Sequence, residues 1–164
     1  MSLLTICARS LEPAIAFADI NIKTHTAKLW EGGNHTLSWT TLAWAADGIT
    51  QLLLSPEITA NRVVPIRAFE ASQNQIIGAL EKLQKAKYEI SHVDAEDVIA
   101  KSKKSWAENK DIASALTLVK AGFLLDGYGS DLVREAITQT GNEFLSLPPL
   151  TLEDVIKQAV NRWA

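Results

Sequence analysis

The hydrophobic pattern changes period along the chain, and each change marks an element. Ile20-Asn21-Ile22-Lys23 alternates apolar and polar, and Ala27-Lys28-Leu29-Trp30 resumes after Thr24-His25-Thr26. A period of two is that of a strand with one face turned inward. Glu31-Gly32-Gly33-Asn34 is a turn signal, and His35 to Trp39 reads as a further short strand. From Thr40-Thr41 the pattern turns helical. Leu42, Trp44, Ala45, Ala46, Ile49, Leu52, Leu53 and Leu54 occupy more than one face, which predicts a well-buried helix ended by Ser55-Pro56.

Val63-Val64-Pro65-Ile66 reads as a buried or edge strand, with Pro65 arguing against full pairing. Ser72-Gln73-Asn74-Gln75 is a capping box, and Ile76, Ile77, Leu80 and Leu83 follow at helical spacing. Tyr88 to Val93 alternates again. Asp94 caps a polar helix that carries Lys101, Lys103, Lys104 and Trp106. A helix over about Ile112 to Leu125 is expected to turn Ile112, Ala115, Leu116, Val119 and Phe123 inward. Gly127-Tyr128-Gly129-Ser130 is a loop, and Thr151 opens a last helix with the stripe Leu152, Val155, Ile156, Ala159, Val160 and Trp163. The order predicts one mixed α/β or α+β domain, with a small sheet and with helices gathered toward the C-terminus. No repeat or low-complexity linker divides it.

Composition narrows the class. The 164 residues are 47% hydrophobic and 21% charged, which is globular usage. The net charge of −3 (16 basic, 19 acidic residues) gives no reason to expect a nucleic-acid partner. One cysteine, Cys7, excludes a disulfide framework within the chain. The apolar start is too short for a signal-peptide core and lacks a basic lead, and no window reaches the ~20 apolar residues that span a bilayer. A cytoplasmic location and no membrane partner are the expectation, and the sequon at Asn34 then carries no meaning.

No phosphate-binding loop, zinc-protease motif or nucleophile elbow occurs. Gly127-Tyr128-Gly129 follows a helix and lacks a third glycine, so it is not a dinucleotide fingerprint. No metal site is expected. His25 and His35 flank the turn and read as solvated. His92, two residues before Asp94, is either a core-edge histidine or a proton shuttle in a cleft. Tyr128 with Asp126 could donate a proton to a substrate oxygen, or simply pack in a glycine-shaped connection. Trp30, Trp39 and Trp44, with Phe123, could line an apolar ligand pocket or form core and interface.

The stretches Asp19 to Asn34, Glu70 to Lys82, Ser91 to Asp97, Gly127 to Asp131 and Asn142 to Pro148, in this order and spacing, resemble the C-terminal half of fungal NmrA-like proteins. These are isoflavone reductase-like relatives of the short-chain dehydrogenases. The likeness covers about Asp19 to Ala164. Met1 to Ala18 match nothing in it.

The resemblance implies a truncated Rossmann relative. The family's glycine-rich NADP turn and catalytic lysine lie upstream of the matching part and transfer to no position here. It therefore implies no cofactor, with NADP only if the missing half is supplied. A face left open by that half is expected to be covered in a homodimer. The leading function is a cofactor-independent enzyme or binding protein for an apolar small molecule. Its reaction would be an isomerisation, cyclisation or dehydration, in the setting of fungal secondary metabolism. His92, Tyr128 and Asp126 are the catalytic candidates, and Trp30, Trp39, Trp44 and Phe123 the substrate-binding ones. The alternatives are part of an NADP-dependent reductase and a non-catalytic NmrA-like regulator.

Overall fold

The computed structural model describes residues 17–127 and 140–163. The alternating segments form β1 (Ile20–Asn21) and β2 (Thr26–Trp30), which pair antiparallel with Ile20 opposite Ala27. β3 (Leu37–Trp39) pairs antiparallel with β4 (Phe69–Ala71), and β5 (Glu89–Val93) runs parallel to β2 with Trp30 opposite Val93. The strands make a three-stranded sheet in the order β1-β2-β5 and a separate two-stranded one. A parallel pair needs a long crossover. The chain between β2 and β5 supplies it, including α1 (Leu42–Leu54), α2 (Pro56–Thr59) and α3 (Gln73–Gln84). Then come α4 (Ala95–Asn109), α5 (Ile112–Leu124), α6 (Gly141–Phe144) and α7 (Leu152–Trp163). The mixed α/β reading, with a small sheet and helices late in the chain, holds.

Local chemistry sets the helix starts. The Thr41 hydroxyl accepts from the Trp44 amide. Ser72 and Gln75 close a reciprocal box at the start of α3. The carboxylates of Asp94 and Asp111 accept from the amides of Asp97 and Ser114. Each cap satisfies donors that the first turn leaves free.

Among the described residues, two clusters make the core. The larger joins Ile20, Ile22, Leu29, Trp30, Leu37 and Trp39 to α3, the end of α5 and α7. The smaller sets Trp44 of α1 on Leu145 and Leu147, with Val64, Ile66 and Leu150 around them. Gln73 is buried between elements: its side-chain oxygen accepts from the Trp30 amide, and its nitrogen donates to the carbonyls of Ala18 and Lys28.

Two sequence readings are corrected. Residues 63–66 are not a strand: Val63 faces solvent, Val64 and Ile66 point into the smaller core, and the Pro65 carbonyl accepts from the Gly141 amide instead of a ladder partner. The strand falls later, at β4, beyond the residue that lacks an amide donor. The inward face of α5 is also different. Ile112, Leu116 and Val119 are exposed, while Ala121, Phe123 and Leu124 are buried, because only the last turn of α5 reaches the main core. The rest of the helix packs on α4, where the Ser105 hydroxyl donates to Asp111.

Candidate functional site

The polar group best placed for chemistry lies where β3 meets the end of α5. α5 stops at Leu124, and Asp126 emerges just beyond it, its Oδ1 accepting from the Gly127 amide at 2.8 Å. His35, just before β3, brings its Nδ1 to 3.7 Å from the same oxygen. The His35 side chain is 8% exposed and that of Asp126 54%. The contact brings a sheltered imidazole beside a carboxylate open to solvent, the residue types that general acid–base chemistry uses.

The reading of His35 as a solvated residue is thus overturned, and the reason is local. Carrying the alternation of β3 backwards places His35 on the side of Leu37 and Trp39, both buried. That signal was present in the sequence. It was masked by the glycine turn next to it.

The other sequence candidates are placed as follows. His92 lies opposite Leu29 on β5, the outer strand of the three-stranded sheet, and is exposed. Tyr128 lies outside the described residues. Trp39 and Phe123 meet edge to face at 5.6 Å, and Trp39 Nε1 donates to the Ala71 carbonyl at 2.8 Å. Trp30 Nε1 donates to Asp19 Oδ2 at 2.7 Å, and Lys120 Nζ reaches the other oxygen of Asp19 at 2.7 Å. Trp44 Nε1 donates to the Pro148 carbonyl. All four aromatic candidates are therefore core residues, and each indole N–H has a partner. The Asp19–Lys120 pair joins the turn before β1 to α5 and is not visible in the sequence pattern.

Charged groups elsewhere are structural. Lys87 holds Glu81 at 2.7 Å and keeps its carboxyl below the usual range, and the Tyr88 amide assists. Burial, with Glu81 nearby, pushes the Tyr88 phenol up to about 12. Glu81 and Lys87 edge an open, lysine-rich depression lined also by Gly78, Lys82 and Lys85, which does not suit an apolar ligand. Among the described residues, no group of three His, Cys, Asp or Glu could hold a metal ion. No described helix is long and apolar enough to cross a membrane.

The glycine pair offers no dinucleotide cradle. Gly32 and Gly33 form a 3-10 turn between two strands. A Cβ on Gly33 would stand 2.7 Å from Leu29 Cδ2 and 3.1 Å from Asn74 Oδ1, so the turn is filled by the protein itself. A phosphate cradle needs instead an open turn leading into a helix.

Comparison with known proteins agrees with this architecture. No family model matches the chain. A solved nucleoside-diphosphate-sugar epimerase from Staphylococcus aureus superposes with a TM-score of 0.58 over 93% of this chain and 50% of the epimerase, at 15% identity. That likeness is one of fold: the chain shares the mixed α/β architecture of about half of the epimerase. A curated protein of Aspergillus flavus, "Oxidoreductase aprR", is 31% identical over 147 residues, which is 89% of this chain and 48% of the oxidoreductase. The two matches agree with the resemblance to fungal NmrA-like proteins, and the chain spans about half the length of the proteins it matches.

Proposed function

We propose that the chain is the substrate-side half of an NmrA-like oxidoreductase fold that handles a small metabolite. The 147-residue match to an oxidoreductase carries this reading. The nicotinamide nucleotide belongs to the complementary half, since the glycine turn here is filled. Within this half, Asp126 orients the His35 imidazole, and the imidazole moves a proton to or from a substrate oxygen.

Titration of the 164-residue chain with NADPH, followed by tryptophan fluorescence and calorimetry, tests the assignment. No binding is expected for the chain alone, and binding is expected once the complementary half is present. Micromolar binding by the chain alone would overturn the division of labour. His35→Gln and Asp126→Asn are each expected to lower turnover by about a hundredfold, the order of a lost general acid or base. Unchanged turnover in both would remove the pair from the reaction.

A second reading is favoured by one observation, the sheltered His35 beside Asp126 within the chain's own fold. With an acid–base pair in hand, the chain could isomerise, cyclise or dehydrate a metabolite without a nucleotide. Turnover by the isolated chain in nucleotide-free buffer would put this reading first.

A further inference from the structure

α1 is apolar on both sides. Its inward face sets Trp44, Ala45 and Gly48 against the smaller core, where a Cβ on Gly48 would lie 2.5 Å from Ile66 Cδ1. Its outward face shows Leu42 (61% exposed), Ile49 (41%), Leu53 (76%) and Leu54 (69%) to solvent. Asp47 is the helix's single charged residue. α2, tied on by the Thr59 hydroxyl donating to the Leu52 carbonyl, adds the exposed Ile58. A helix that is hydrophobic all round belongs to the interior of a larger structure, and a contiguous apolar patch of this kind marks an interaction surface.

The lengths of the matched proteins bear on what could cover it. Both matched proteins are about twice as long as the region they share with this chain. Their fold therefore contains a complementary half that must meet this one. We infer that the outward face of α1, continued by Ile58, is the seat of that half. The inference rests on the reading of the chain as one half of an oxidoreductase fold. The near absence of charge requires an equally apolar, largely uncharged surface on the occupant, such as one face of a sheet or another helix.

The test co-expresses the 164-residue chain with the part of the Aspergillus flavus relative that lies outside the 147-residue match. Analytical ultracentrifugation reads assembly, and NADPH titration of the same sample reads function. A one-to-one complex is expected, weakened at least about tenfold by Leu53→Lys or Ile49→Lys and left unchanged by Leu83→Lys, on the outward side of α3. Leu53 and Ile49 face solvent in this half, so circular dichroism of the variants should match the parent. No complex with the parent chain, or a complex indifferent to both α1 lysines, would overturn the inference. So would a homodimer sealed by the same stripe, which would make a second copy the occupant. A complex that forms through α1 but binds no NADPH keeps the docking face and removes the oxidoreductase reading.

Discussion

α1 and α3 begin alike and face opposite fates. Both are three-turn helices or slightly longer, both start from a hydroxyl cap, and both press one face on the protein. α3 buries Gln73, Ile76, Ile77 and Leu80 and turns mainly polar residues outward, among them Asn74, Gln75 and Lys82. α1 turns out leucines. Within this half of the fold α3 is complete, because every large apolar residue except Leu83 is covered or partly covered. α1 is a helix with a second partner still to come. The difference shows that outward composition, more than inward packing, separates a finished face from one suited to a partner.

Substitutions can break or sharpen this contrast. The largest effect belongs to Leu80, fully buried in α3: Leu80→Ala should cost about 2–5 kcal/mol in urea denaturation. Leu53→Ala, at the same level of chemistry on the outward side of α1, should change the stability of the isolated chain by under about 0.5 kcal/mol. A large loss at Leu53 would mean that its face is already covered. Gln73→Ala removes three hydrogen bonds between buried segments and should cost about 1–3 kcal/mol by the same assay.

The caps come next. Thr41→Ala and Ser72→Ala should each cost about 1 kcal/mol, with the larger loss at Ser72, where the box is reciprocal. The smallest effect is in acid. Hydrogen bonds from Ser105 and then Ser114 lower the Asp111 carboxyl to about 2 from the ordinary 3.8. Its folded form thus holds the proton less tightly than the unfolded chain does. The stability this group contributes is complete above pH 3.8 and fades as pH falls toward 2. Melting temperature against pH should flatten over that window in Asp111→Asn, and an unchanged slope would remove Asp111 as the clamp between α4 and α5.

Much of this was legible in the sequence, for reasons that differ by element. The capping box at Ser72, the Thr41 cap and the Ser55-Pro56 stop are local chemistry, and each lies where the residues require. The NmrA-like likeness rested on the order of short segments, and the fold agrees with it. The failures came where tertiary context overrode a pattern. The stripe Ile112, Leu116 and Val119 has helical spacing, but spacing alone does not say which stripe meets the core. The β-branched run around Pro65 reads as a strand until its carbonyls find α6 instead. Of the site, Asp126 stands out in the sequence, whereas its neighbour His35 reads as solvated, since their pairing joins residues 91 positions apart. The overall reading of α1 as a buried helix is half realised, and the unrealised half is the docking face.

The Gln73 junction has a consequence in time. It binds Ala18, Lys28 and Trp30 across 43 to 55 residues of sequence, and β2 completes its sheet only with β5. On a ribosome adding roughly 5–20 residues each second, β1 and β2 emerge seconds before the residues that shelter them. The first strands must therefore wait as an open hairpin with Trp30 unprotected, and the stretch up to Val93 has to clear the exit before any of it can settle. Nascent chains cut short of β5 should be the ones that chaperones hold.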